Sequence, residues 1–154
     1  MPIKRKMTTP LDDTRAQLAD EFQEPPSGKC IMVVEDDPGL MALYQILLHA
    51  EGYRVIGAED GEEALETFER EGRDIDLLIA DVCMPRVGGV EMLRRMKTGG
   101  LLPRILICSG AVEYATELQL RAAGAEWFLP KPFRNREMLN EVERILLTEP
   151  TGSS

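Results

Sequence analysis

The stretch 76–81 reads DLLIAD, in which four apolar residues are followed directly by the carboxylate of Asp81. A short apolar run of this kind predicts a β-strand buried on both faces, as in a parallel sheet. Comparable runs predict further strands at 31–34, 53–57, 105–108 and 127–129, and a helical pattern follows each strand. The expected fold is therefore α/β, a doubly wound five-stranded parallel sheet with helices on both faces, (βα)5.

The composition of the 154-residue chain, 44% hydrophobic and 29% charged, is typical of one globular domain. Its apolar runs are too short for a membrane-spanning helix, and the start lacks the apolar core of a secretory signal, so we expect a cytoplasmic protein. Residues 1–29 carry five charges of each sign, and the remainder holds 13 basic against 22 acidic residues. A nucleic-acid binder has the opposite charge, so we expect no direct nucleic acid binding.

The chain divides into three predicted regions. Residues 1–28 are expected to form a flexible N-terminal extension, residues 29–147 a single domain, and residues 148–154 a disordered C-terminal tail. So few residues follow the fifth predicted helix that we expect no C-terminal output domain. The widely spaced Cys30, Cys83 and Cys108 are predicted to be buried free thiols, because they form no Cys-x-x-Cys pair and His49 is the only histidine.

Polar side chains follow four of the predicted strands. Glu35 and Asp36 come after the first strand, Asp81 after the third, Ser109 after the fourth and Lys131 after the fifth. Ligands of open parallel sheets bind at the carboxyl ends of the strands. Clustered carboxylates suit Mg²⁺, an aspartate can form an acyl phosphate, and a hydroxyl and an ammonium match the oxygens of a phosphoryl group. The pattern therefore indicates phosphoryl transfer.

Four segments resemble the receiver domains of two-component response regulators: VVEDDP at 33–38, LLIADVCMP at 77–85, ICSG at 107–110 and FLPKPF at 128–133. The resemblance covers about residues 29–147, with the motifs in the family's order and spacing. It implies a flavodoxin-like fold and a stand-alone receiver domain. The chain would then be a signalling phosphoacceptor that promotes its own phosphorylation and dephosphorylation, and not an enzyme acting on a separate substrate.

The resemblance also implies the chemistry of individual positions. Asp81 matches the phosphoacceptor, and Lys131 matches the lysine that pairs with the phosphoryl group. Glu35 and Asp36 match the ligands of Mg²⁺, together with Asp81 and the backbone carbonyl of Cys83. The neighbouring Asp37 precedes a proline, so we expect it to cap a helix instead of binding metal.

Two positions match the conformational switch of the family. Ser109 matches the hydroxyl residue that moves toward the phosphoryl group, and Phe128 matches the aromatic residue that rotates inward on activation. Because Phe128 has no hydroxyl, we expect its outward position to be held by packing alone. The third helix begins after Val87-Gly88-Gly89, which lacks the acidic cap common in the family.

The resemblance implies that a histidine kinase or a histidine phosphotransfer protein supplies the phosphoryl group. The face of the fourth helix, fifth strand and fifth helix would then change its binding of a downstream protein, as a monomer or a phosphorylation-dependent homodimer. One alternative is a non-phosphorylated pseudo-receiver that acts as a protein-binding module. Another is a Mg²⁺-dependent phosphohydrolase, which commonly needs Asp-x-Asp where this chain has Cys83 two residues after Asp81.

Overall fold

In the computed structural model, the described residues are 28–82, 87–100, 102–110 and 112–148. The predicted extension, apart from Gly28, and the predicted tail, apart from Thr148, lie outside these ranges. Within the ranges five strands alternate with five α-helices. The elements are β1 (Cys30–Val34), α1 (Pro38–Ala50), β2 (Arg54–Ala58), α2 (Gly61–Glu71), a 3₁₀ turn (Gly72–Asp74), β3 (Leu77–Ala80), α3 (Gly89–Thr98), β4 (Arg104–Ser109), α4 (Tyr114–Ala122), β5 (Trp127–Pro130) and α5 (Asn135–Leu147).

The five strands form one parallel sheet in the order β2-β1-β3-β4-β5. The chain first moves outward from β1 to β2 and then crosses to the other side of β1, so the strand order switches between β1 and β3. This confirms the predicted doubly wound, flavodoxin-like fold. Val34 is paired with Ala80 at the carboxyl ends of the neighbouring strands β1 and β3. The residues that follow these strands, Glu35 and Asp81, therefore leave the sheet side by side.

Each face of the sheet is covered by its own apolar cluster. On one face, Met32 and Val34 of β1 pack in a cluster with residues of α2, α3 and α4. On the other face, Ile31 and Val33 pack with residues of α1 and α5. All residues of β1 and β3 are buried, as the apolar runs predicted. No helix in the described ranges is long and apolar enough to cross a membrane.

Acidic residues determine where the first two helices begin. Asp37 accepts hydrogen bonds from the backbone N–H groups of Gly39 and Leu40 at 2.9 and 3.3 Å, so its predicted capping of α1 is confirmed. Asp60 caps α2 in the same way. In contrast, α3 begins at Gly89, and the preceding Gly88 provides no side-chain cap, as the sequence indicated.

Several strand boundaries differ from the predicted ranges by one residue, and the start of β2 differs for a local reason. β2 begins at Arg54 and not at Tyr53, because the N–H of Tyr53 donates to the carbonyl of Leu48 and closes the last turn of α1. Gly52, at a φ of 92°, permits that turn.

Candidate functional site

Three carboxylates converge where the strand order switches. Glu35 and Asp36 follow β1, Asp81 follows β3, and each offers one oxygen within 4.8 Å of the other two. Glu35 is only 2% exposed, whereas Asp36 is exposed and Asp81 is half-buried. The site thus has a buried floor and an open rim on the solvent side.

Lys131, the residue after β5, places a positively charged ammonium group beside these carboxylates. Its Nζ donates to Glu35 Oε1 at 2.9 Å and to Asp81 Oδ2 at 3.1 Å. The backbone N–H of Lys131 donates to the carbonyl of Ser109 at 2.7 Å. This hydrogen bond holds the backbone of Lys131 against the end of β4. The Lys131–Pro132 peptide bond is cis. One ammonium group therefore bridges the acids of β1 and β3.

Ser109 completes the contacts around Asp81. Its Oγ donates to Asp81 Oδ1 at 3.0 Å, so the two carboxylate oxygens face different donors, a hydroxyl and the Lys131 ammonium. Ser109 is the last residue of β4 and is 3% exposed. A buried hydroxyl on one side and a half-buried ammonium on the other hold the Asp81 carboxylate in one orientation.

Burial and ion pairing shift the pKa values of the charged groups of the site in opposite directions. Burial raises the pKa of Glu35, although hydrogen bonds from Lys131 and from the N–H of Asp37 partly offset this effect. Burial lowers the pKa of Lys131, but its hydrogen bonds with Glu35 and Asp81 outweigh that and raise it overall. Both shifts follow from the proximity of these groups in a partly dehydrated site.

The donor set fits a small divalent cation. Three carboxylates face one ammonium, so the described side chains of the site carry excess negative charge. Carboxylate oxygens are hard ligands, and Mg²⁺ takes a few of them together with water and phosphate oxygens. The fourth predicted ligand, the carbonyl of Cys83, lies outside the described residues.

The other two cysteines are buried free thiols, as predicted. Burial raises the pKa of Cys108 to about 12 and also raises the pKa of Cys30. Both thiols are therefore protonated near neutral pH and are poor metal ligands or nucleophiles. The chemistry of the described site rests on oxygen and nitrogen groups.

Phe128 lies next to the polar site and not inside it. Its half-buried ring lines an open cleft of about 290 Å³, together with Ser109, Val112 and Glu117. The guanidinium carbon of Arg121 lies 4.5 Å from the centre of the ring. No local pattern in the sequence signals this contact, which adds an electrostatic attraction to the packing that we expected to hold Phe128.

A larger cavity of about 930 Å³ opens at the opposite edge of the sheet, between α2 and α3. Its lining includes Phe68, Arg73 and Arg95 and none of the predicted site residues. The site at the carboxyl edge is thus identified by its converging charged groups and not by its volume.

The fold and the acidic edge define a class of doubly wound α/β domains with a polar site at the switch point. Residues 31–143 match the response regulator receiver domain, and the chain belongs to that family. It is 38% identical over 116 residues to the transcriptional regulatory protein CpxR of Escherichia coli strain K12, covering 75% of this chain and 48% of CpxR. It is 36% identical over 119 residues to the alkaline phosphatase synthesis transcriptional regulatory protein PhoP of Bacillus subtilis strain 168, covering 77% of this chain and 49% of PhoP.

Among solved structures, the chain resembles a CheY-like response regulator receiver domain protein from Methanospirillum hungatei JF-1. The TM-score is 0.72 at 25% identity, and the match covers 77% of this chain and 93% of that protein. The chain spans about half the length of the curated relatives it matches. The shared part is their receiver domain, a signalling domain of two-component systems.

Proposed function

We propose that this receiver domain accepts a phosphoryl group on Asp81 from the phosphohistidine of a histidine kinase or a histidine phosphotransfer protein. The observation that carries the proposal is the position of the Asp81 carboxylate. It lies between the Ser109 hydroxyl and the Lys131 ammonium, beside two further carboxylates at the switch point. The hydroxyl and the ammonium can both donate hydrogen bonds to the charged oxygens that Asp81 gains when it is phosphorylated.

In the proposed step, an oxygen of Asp81 attacks phosphorus, and the bond from phosphorus to the donor's imidazole nitrogen breaks. The electron pair of that bond returns to the imidazole, whose other nitrogen carries a proton, so the products are an aspartyl phosphate and a neutral histidine. Lys131 and Ser109 exchange their contacts with the carboxylate for contacts with the phosphoryl oxygens. Both side chains already lie within 3.1 Å of Asp81, so small movements suffice.

Glu35, Asp36 and Asp81 would hold Mg²⁺, with the carbonyl of Cys83 as the further ligand expected from the resemblance. When bound, Mg²⁺ would neutralise the acidic site and the charge of the incoming phosphoryl group. The support for this assignment is the excess of carboxylates over ammonium groups among the described side chains of the site.

The proposed output is a change in the surface formed by α4, β5 and α5. Movement of Ser109 toward the phosphoryl group would open the cleft that Phe128 lines, and the ring could then turn inward. A downstream protein would read the altered surface, and a phosphorylation-dependent homodimer is one form that this could take. The net charge of −9 supports a domain that does not itself bind nucleic acid.

The proposal is tested by the intact mass of the full chain after incubation with a small acyl-phosphate donor, with and without Mg²⁺. Wild type and Asp76→Asn should each gain one phosphoryl group that depends on Mg²⁺, and hydroxylamine should remove it. Asp81→Asn should gain none. The Asp76 variant is the matched control because it alters the other aspartate that flanks β3. If neither this donor nor phosphorylated histidine kinases modify the wild type, the pseudo-receiver alternative replaces the proposal.

A further inference from the structure

Arg121 on α4 makes two contacts that join it to Phe128. Its Nε donates to Glu117 Oε2 at 3.0 Å, one helical turn earlier, and its guanidinium carbon lies 4.5 Å from the centre of the Phe128 ring. The first contact holds the long arginine side chain in place. The second sets a positive charge over the negative face of an aromatic ring, which is an attractive arrangement.

A second pair on the surface shows what is particular to Arg121. Arg95 and Glu91 on α3 form the same type of ion pair, at 2.9 Å and with the same spacing of four residues. Their side chains are 55% and 50% exposed, close to the 48% and 37% of Arg121 and Glu117. Among the described residues, however, only Arg121 has its guanidinium over an aromatic ring. The ion pair is thus ordinary, and the contact with Phe128 distinguishes Arg121.

The cleft beside Phe128 offers space for a second position of the ring. It measures about 290 Å³, and Phe128 and Glu117 line it together with Ser109, which also contacts Asp81. A ring that turned into this space would leave the guanidinium of Arg121. Any free energy in the contact therefore favours the observed position of Phe128 over the inward one.

We propose that Arg121, held by Glu117, is a positioning residue that keeps the Phe128 ring in its observed position beneath the guanidinium and so raises the level of phosphorylation needed to switch the domain. This inference rests on the proposed function of Asp81. The positive charge and flat guanidinium of Arg121 are both needed, because a lysine at this position would keep the charge but stack poorly on the ring. On this proposal the ring exchanges between its observed position and one turned into the cleft, so weakening the contact with Arg121 shifts the balance toward the inward position.

The test titrates the full chain with beryllofluoride, a phosphoryl mimic, at fixed Mg²⁺, and follows the fluorescence of Trp127. This is the only tryptophan of the chain and it precedes Phe128 on β5. Arg121→Gln and Glu117→Gln should lower the half-saturating concentration about two- to fivefold, the range expected for an exposed cation–aromatic contact. Arg95→Gln, which breaks the matched ion pair, should leave that concentration unchanged. Arg121→Lys should lie between wild type and Arg121→Gln.

Urea unfolding of the same variants separates positioning from stability. Each of Arg121→Gln and Arg95→Gln loses one surface ion pair, and Arg121→Gln also loses the contact with Phe128. Both should therefore unfold at slightly lower urea than wild type, with Arg121→Gln the lower of the two. If the wild type responds to beryllofluoride and the half-saturating concentrations of Arg121→Gln and Arg95→Gln equal that of wild type, the inference is overturned while the proposed function stands. If the wild type gives no fluorescence response at any concentration, the inference is overturned. If it also gains no phosphoryl group in the mass measurement, the proposed function is overturned as well.

Discussion

The two aspartates that flank β3 occupy equivalent places in the sequence but different surroundings in the fold. Asp76, at the amino end, accepts a hydrogen bond from the backbone N–H of Cys30 at 2.8 Å and thereby ties β3 to β1. Asp81, at the carboxyl end, faces the Ser109 hydroxyl and the Lys131 ammonium, and it shares that ammonium with the buried Glu35.

The difference separates an acid that stabilises the fold from acids gathered for chemistry. At the amino edge, Arg54 pairs with Glu71 at 3.3 Å, and the two side chains are 53% and 34% exposed, so water screens the pair. At the carboxyl edge, three carboxylates converge within 4.8 Å and one ammonium faces them. Such an excess of like charge costs stability and is typical of a functional site.

The largest effect is expected from the cation of the carboxyl edge. Lys131→Gln should slow phosphoryl incorporation from an acyl-phosphate donor about 100-fold, the loss typical when one donor to developing oxyanion charge is removed. Arg54→Gln, which removes the cation of the amino edge, should leave the rate unchanged. The measurement is the initial rate of adduct formation by intact mass. Equal rates for the two variants would remove the proposed distinction between the edges.

A smaller effect on stability is expected at the amino end of β3. Asp76→Ala should lower the free energy of unfolding by about 1–3 kcal/mol, because the buried N–H of Cys30 loses its acceptor. Asp76→Asn keeps an acceptor oxygen and should cost less. Urea denaturation of both variants beside wild type measures this difference. If Asp76→Ala is as stable as wild type, the hydrogen bond does not hold β3 to β1.

The smallest effect concerns pH. The pKa of Glu35 is raised above its ordinary value of 4.5, so the folded chain holds this proton to higher pH than the unfolded chain does. The resulting stabilisation is complete below pH 4.5 and is lost as pH rises through the raised pKa. In the presence of a chelator, the unfolding free energy of Glu35→Gln relative to wild type should therefore increase from pH 4.5 toward neutrality. Parallel curves over this range would contradict the assignment.

Patterns within single segments predicted most of the fold. The apolar runs predicted the five strands and their sequence along the chain, and Asp37 before a proline predicted the start of α1. The boundary of β2 was missed by one residue because the Tyr53 N–H bonds back to the helix before it. A periodic pattern locates a helix or strand, but it does not tell how the last turn satisfies its backbone groups.

Site contacts between distant segments were harder to predict. The carboxyl ends of parallel strands meet at one edge, so the sequence predicted that Asp81 and Lys131 would approach each other. It did not predict that Lys131 also bridges to Glu35, which lies 96 residues earlier. The contact of Arg121 with Phe128 was missed as well, because it depends on how α4 lies against β5. Such distances follow from packing and have no local signature.

The position of the phosphoryl group can be determined chemically. Borohydride reduces an aspartyl phosphate to homoserine, and peptide mass spectrometry then identifies the modified position. After incubation of the full chain with an acyl-phosphate donor and Mg²⁺, we expect homoserine at position 81 and at neither Asp36 nor Asp76. Homoserine at another aspartate, with Asp81 unchanged, would contradict the central claim that the contacts of Ser109 and Lys131 select Asp81 as the phosphoacceptor.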